Sequence, residues 1–259
     1  MIDLLISTRP AAWISDCPSI VDLNEMMELR KVRQNTRLWF NLEKSLVAFA
    51  IIDSYNNLLF EHLEQPSLHR IQEEIIDWAV DMMRKRLSPD NTGVTLDGSC
   101  RPEDKIRMKL FKANGFMKLS QESIHLLRSL DDPLHNIEIP TGYVIRTVSG
   151  EDEVEDYVAL HWAAFGTQQM TVDMRLSIMR APNYNPLLDL VAVAPDGSLS
   201  DFCVCQISQK ENAILGTKVG WADPIGVHPK LRRRGLAKAL LAWGLKLLKK
   251  HGMNIAVAS

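Results

Sequence analysis

The sequence predicts an α/β fold made of two similar halves, and three observations carry that reading. The second half alternates strand-like and helix-like segments in the order β-α-α-β-β-β-α-β, as in layered α/β architectures. A helical stretch recurs: Glu73–Lys85 aligns without a gap to Lys238–Lys250 at a constant shift of 165 positions. Every apolar position of the first meets an apolar residue, Ala or Gly in the second, and Trp78 meets Trp243. Between the halves, Asp131-Asp132-Pro133 and Pro140-Thr141-Gly142 punctuate the chain. The domains expected are therefore 1–132 and 141–259.

In the first half, Leu46–Asp53 and Asn57–Leu63 read as strands preceding the first copy of the repeated helix. Gly93–Leu96 reads as the strand after it, and a last strand runs through about Leu127. The second half opens with a strand at Tyr143–Arg146. Glu151–Phe165 has helical spacing through Val154, Tyr157, Val158, Leu160, His161 and Ala164. Thr171–Arg180 is a second helix, with Thr171 as its N-cap and Asp173 in its first turn. Leu187–Ala194 and Phe202–Ile207 form a hairpin around the turn Pro195-Asp196-Gly197-Ser198. Thr217–Val227 is a strand disturbed at Pro224, Gly235–His251 a long amphipathic helix, and Met253–Ala258 a final strand.

Composition narrows the function classes. The 259 residues are 46% hydrophobic and 24% charged, enough apolar material for a globular core. No apolar run nears the roughly 18–20 residues of a membrane helix. Met1–Leu5 carries an early acid and no basic segment, so it does not read as a secretory signal. Cys17, Cys100, Cys203 and Cys205 are too few and scattered for a disulfide framework, which points to a reduced, cytoplasmic setting. Cys203 and Cys205 share a strand face but have no further ligands at metal spacing, so no metal is expected.

The net charge of −2 is unevenly spread. Residues 224–259 hold eight Lys/Arg and no acid, leaving a net of −10 on the rest. A basic end on an acidic body implies a local anionic ligand. Without interleaved aromatic and basic residues, nucleic acid is not the expected partner.

The anion site is legible in Ile225-Gly226-Val227-His228-Pro229-Lys230-Leu231-Arg232-Arg233-Arg234-Gly235-Leu236-Ala237. A strand enters a short basic loop that opens a long helix. The first turn of a helix offers N–H groups with no internal acceptor, and the helix dipole adds positive charge there. Gly235 permits close approach of backbone to the anion, Ala237 keeps the next turn thin, and Arg232, Arg233, Arg234 and Lys238 add charge. Basic residues at a helix start conflict with the dipole, and a bound anion relieves that conflict. Neither a Walker A nor a Rossmann glycine pattern occurs.

Arg232-x-x-Gly235-x-Ala237, after a strand ending Val227-His228-Pro229, resembles the pyrophosphate-binding signature of the GNAT acyltransferase superfamily, Gln/Arg-x-x-Gly-x-Gly/Ala. The element order of residues 141–259 is similar to that family's through its fifth strand, and the paired halves resemble tandem GNAT proteins. The resemblance implies two domains, each a mixed, mostly antiparallel sheet flanked by helices. It implies that backbone amides of Arg233, Arg234, Gly235, Leu236, Ala237 and Lys238 hold the diphosphate of acetyl-CoA. The main chain of Ile225, Gly226 and Val227 would pair with the pantetheine arm in a gap between the fourth and fifth strands. Pro224, lacking an N–H, is consistent with that gap. For catalysis it points to Asp223 as general base, ahead of His228, and to Trp221, His161 and Trp162 as walls of the acceptor pocket. The expected function is transfer of an acetyl group from acetyl-CoA to the amine of a small molecule, with homodimerisation open. The alternative is a CoA-binding regulatory or scaffold protein without turnover.

The first half departs from this pattern. Arg232–Ala237 corresponds to Ser67-Leu68-His69-Arg70-Ile71-Gln72, so Arg70 stands where Gly235 stands, and Glu73, Glu74 and Asp77 follow. The 1–132 domain is therefore not expected to bind CoA. Its Leu110-Phe111-Lys112-Ala113-Asn114-Gly115-Phe116 resembles the family's Leu-Tyr-x-x-x-Gly-Phe, with Phe111 in place of a proton-donating tyrosine. The second half stops after its fifth strand, so it is expected to lack its last strands, with an open sheet edge and no tyrosine donor.

Overall fold

A computed structural model describes residues 1–65, 70–86 and 94–258. The chain forms two compact units, Met1–Glu122 and Ser123–Ser259.

In the first unit, helices α1 (Ile2–Thr8), α2 (Ile20–Glu28) and α3 (Arg30–Gln34) precede strands β1 (Thr36–Phe40), β2 (Leu46–Ile52) and β3 (Leu58–His62). These strands pair in that order as an antiparallel sheet, Ala50 of β2 opposite Arg37 and Phe60. Helices α4 (Ile71–Arg84) and α5 (Lys105–Ala113) follow. β2 reads LVAFAII because both its faces are covered, and Val47 to Ile52 are all buried. Ile75, Ile76, Ala79 and Met83 of α4 close one face over Ala48, Ala50, Ile52 and Phe60. The strand expected at Gly93–Leu96 is reduced to one parallel bridge between Asn57 and Asp97, although Val94 and Leu96 do pack on the core. Gly93 lies outside the described residues, as do Ser67, Leu68 and His69. Phe111 is a packing residue: its ring lies 4.9 Å from Phe116 and 6.3 Å from Phe60.

The second unit contains β4 (Leu126–Ser129), β5 (Val144–Thr147), α6 (Val154–Phe165), α7 (Val172–Arg180), β6 (Asp189–Val193), β7 (Leu199–Gln206), α8 (Gln209–Leu215), β8 (Val219–Val227), α9 (Leu236–Lys250) and β9 (Ile255–Ala258). Its sheet runs β4-β9-β8-β7-β6-β5. All neighbours are antiparallel except β8 and β9. Strand alternation sorts the core into two layers. Leu190, Cys203, Cys205 and Ala222 meet Leu240 and Leu248 of α9, while Val191, Phe202 and Val204 meet Tyr157, Leu160 and Ala164 of α6. Thr171 caps α7 as expected, its hydroxyl accepting from the Met174 N–H at 3.1 Å. α7 is bound to the sheet by a buried Arg175–Asp189 ion pair, with the guanidinium 3.8 Å above the Tyr157 ring and the Tyr184 hydroxyl donating to Asp189 at 2.6 Å.

Two expectations are corrected. The strand near Leu127 was assigned to the first domain, yet Leu126–Ser129 hydrogen-bonds along β9, Leu126 opposite Ala258 and Ser129 opposite Ile255. That pairing moves the boundary from 132/141 to between Glu122 and Ser123 and supplies the neighbour that β9 was expected to lack. The stretch before Thr217, to which the sequence reading assigned no element, contains α8. Ser208 caps it through the Glu211 N–H at 3.3 Å, and Gly216 ends it in the left-handed conformation.

Candidate functional site

The start of α9 is built to be left open. Gly235 is the N-cap, with φ 85° and ψ 0°, and no side chain caps the helix. The N–H groups of Leu236, Ala237 and Lys238 therefore have no acceptor within the helix. A Cβ on Gly235 would meet nothing within 4 Å, so glycine is required by the left-handed backbone rather than by crowding inside the protein. Arg233 also takes a positive φ, 62°.

This helix tip borders a cavity of about 570 Å³. Ala164 and Phe165, at the end of α6, form one wall, and Ile225, Gly226 and Val227 of β8 another. Leu231, Arg232, Arg233 and Gly235–Lys238 form the rim. The basic residues divide in their roles. Arg232 donates from Nη2 to the Ala164 carbonyl at 2.7 Å and from Nε to that of Val227 at 3.4 Å, which ties the loop to α6. Arg234 is not part of the lining and points a guanidinium nitrogen at the Tyr143 hydroxyl, 3.4 Å away. Arg233 and Lys238 are exposed on the rim, as is Arg232 itself.

The strand beside the cavity is β8. β8 pairs with β9 only from Val219 to Trp221 and then continues to Val227. Against β7 its register shifts: Ala222 faces Cys205 and Ile225 faces Cys203, so Asp223-Pro224 holds one extra residue. The Asp223–Pro224 peptide is cis. Past this bulge Gly226 lies against the Phe202 ring, where a Cβ would come within 2.4 Å of a ring carbon. Glycine is required there by crowding.

The acceptor-side candidates separate. Trp221 is partly exposed and pairs with Val257 of β9. Asp223 is half-buried in the bulge. The Cys203 thiol is pushed well above its ordinary value by the hydrogen bond it shares with Cys205, by burial and by the charges of Cys205, Asp201 and Asp223. His161 does not line the cavity. It is buried, stacked on Phe202 at 5.6 Å and set against Phe165 at 4.7 Å, one layer behind the wall. Burial, followed by the charge of Arg175, holds its imidazole below the usual range. Trp162 is core, not pocket: its Nε1 donates to the Met170 carbonyl at 2.6 Å and its ring packs between α6 and α7. His228 is occupied as a cap, with Nδ1 accepting from the Lys230 N–H at 3.3 Å.

Two residues were missed by sequence reasoning. His125 packs on Trp221, the ring centroids 5.1 Å apart and the planes at 89°. Asp201 on β7 is fully buried, with no hydrogen-bond partner for either side-chain oxygen among the described residues. It stands opposite Val227, and burial pushes its carboxyl up to about 7. Among the described residues no group of His, Cys, Asp or Glu side chains could hold a metal. No helix among them is long and apolar enough to cross a membrane.

The open helix tip and the glycine that forms it, beside a cavity walled by β8 and the end of α6, suit a ligand with a diphosphate, as CoA is. Residues 154–259 match the acetyltransferase (GNAT) family. Three solved structures share the architecture. A GCN5-related N-acetyltransferase from Sphaerobacter thermophilus has a TM-score of 0.60 at 22% identity, over 87% of this chain and 71% of that one. A tandem GNAT protein from the clavulanic acid biosynthesis pathway has 0.59 at 15%, over 99% and 85%. A GCN5-related glucosamine N-acetyltransferase region of a fungal multi-domain β-N-acetylglucosaminidase has 0.59 at 14%, over 99% of this chain and 34% of that one. At these identities the likeness establishes the fold. No curated protein matches the chain in sequence.

Proposed function

From the premise that the second unit is a GNAT acetyltransferase domain in a tandem GNAT fold, we propose that the chain transfers an acetyl group from acetyl-CoA to the primary amine of a small molecule. The observation that carries this is the uncapped tip of α9, with its left-handed Gly235, beside the cavity walled by Ile225–Val227 of β8. The amides of Leu236, Ala237 and Lys238 would receive the diphosphate, aided by Arg233 and Lys238. The backbone of Ile225–Val227, which walls the cavity, would hold the pantetheine arm as an added strand. Bound acetyl-CoA supplies the activated acyl group as a thioester. The protein's part is to hold that carbonyl at the bulge beside Asp223 and Trp221 and to accept the proton of the incoming amine. The first unit, with Arg70 in place of the critical glycine, would serve packing rather than CoA binding.

The test combines titration calorimetry with CoA and thiol release from acetyl-CoA against a panel of small amines. Gly235→Glu is expected to weaken CoA binding by a hundredfold or more. Gly197→Glu is the control, because Gly197 has the same φ of 85° with nothing within 4 Å of its Cβ but lies in the β6–β7 turn. Equal affinity in the two variants would contradict the cradle. CoA binding without thiol release for any amine would favour the reading without turnover.

A further inference from the structure

Trp221, two residues before the bulge at Asp223-Pro224, has a neighbour that neither β8 nor β9 provides. β4 runs antiparallel to β9, with Leu126 opposite Ala258 and Leu127 opposite Val257. Val257 in turn pairs with Trp221 of β8. His125 lies one residue before Leu126, and its ring reaches the Trp221 indole in a perpendicular contact at 5.1 Å. Trp221 precedes by two residues the bulge at Asp223-Pro224, so the imidazole stands beside the stretch of β8 that carries the bulge. The indole fixes the direction of the ring by an edge-to-face contact of the kind aromatic pairs prefer. His125 is exposed, and among the described residues no group hydrogen-bonds its nitrogens.

Acyl transfer to an amine needs a base at that position. A primary amine is an ammonium near neutral pH and has no lone pair until a proton leaves. Among side chains a carboxylate is a weak base, whereas imidazole is the one best suited to take and release a proton under neutral conditions. Asp223 also sits within the bulge, while His125 faces the solvent from which an acceptor arrives.

We propose that His125, delivered by the segment that enters β4, is the catalytic base that takes the proton from the acceptor ammonium. The proposal rests on the acetyltransferase reading above. One N–H proton of the ammonium passes to the imidazole, and the freed lone pair forms the C–N bond to the thioester carbonyl carbon. The C–S bond breaks with its electron pair on sulfur, the departing thiolate takes a second proton from the same nitrogen, and the imidazolium returns its proton to water. Ammonium and thioester thus become amide, thiol and one released proton. Trp221 acts as a positioning residue for the ring.

The test uses the full chain with the best amine from the panel. His125→Gln and His125→Ala are expected to lower kcat by about a hundredfold or more, the scale of general-base catalysis. Both should bind CoA like the wild type by calorimetry, which also reports that they fold. Added imidazole should restore turnover to His125→Ala in proportion to its free-base fraction, an effect a purely structural histidine would not give. Trp221→Phe, which keeps a ring against His125, should lose less than either variant. Undiminished kcat in His125→Gln overturns the proposal and leaves the acetyltransferase reading intact. A wild type that binds CoA but acetylates no amine overturns both.

Discussion

The two copies of the repeated helix begin 165 residues apart, α4 at Ile71 and α9 at Leu236, yet their first turns have opposite chemistry. α9 starts from Gly235 in the left-handed region and is followed by Lys238. α4 starts from Arg70 in the right-handed region, with φ −102°, followed by Glu73 and Glu74, and Arg70 approaches Glu73 at 3.8 Å. Acids at a helix start satisfy its dipole from within, whereas bases leave it to be satisfied by a ligand. The apolar stripe that packs each helix on its sheet is retained, with Ile75 and Ala79 matched by Leu240 and Gly244. Burial of one face thus fixes a helix without deciding what its tip does. The central strands differ in the same sense: β2 is apolar from Leu46 to Ile52, while β7 buries Ser200 and Asp201.

That comparison can be broken or sharpened by substitution. Gly226→Ala should have the largest effect on stability. It drives a methyl into the buried Phe202 ring, at a cost of about 1–3 kcal/mol in chemical denaturation. Asp201→Asn should flatten the pH dependence of stability. The Asp201 carboxyl titrates at about 7 in the fold and near 3.9 in the unfolded chain, so it is protonated only in the folded state between those values. Its favourable contribution is complete below pH 4 and is lost as pH rises through 7, with a fall of about 1.4 kcal/mol between pH 6 and 8. Urea midpoints of wild type and variant should diverge across that window; parallel curves would remove the buried carboxyl from the account. Lys238→Glu places at α9 the charge that Glu73 gives α4. It should weaken CoA binding about fivefold, or about 1 kcal/mol, while slightly raising thermal stability through the dipole. Arg70→Gly should change CoA stoichiometry not at all, since Glu73, Glu74 and Asp77 remain; a second site in calorimetry would contradict the contrast between the two tips.

The readable parts of the molecule were those whose signals are local. The period of α9, the glycine and basic residues at its tip, and the Thr171 cap depend on neighbours within a few residues. The bulge at Asp223-Pro224 was visible through proline's missing N–H. The unreadable parts depend on partners far along the chain. Leu126–Ser129 carries no mark that it pairs with Ile255–Ala258, so its assignment to the first half and the expected bare edge were both mistaken. His125 was invisible for the same reason. Trp162 and His161 have helical spacing that suits a pocket or a core equally, and only packing distinguished the two. α8 was missed because seven residues with one apolar pair give too short a period to register. The Arg232 contact with Ala164 spans 68 positions, so a residue expected to carry charge to the ligand also fastens the loop.

The central claim is that the main-chain amides at the tip of α9 receive the diphosphate of CoA and those at the tip of α4 do not. Amide NMR of the isotopically labelled chain, titrated with CoA, reads both tips at once. The account predicts large shifts at Leu236, Ala237 and Lys238 that saturate at one equivalent, with Ile71, Gln72 and Glu73 unmoved. Unmoved resonances at 236–238 in the presence of bound CoA, or equal shifts at both tips, would contradict it.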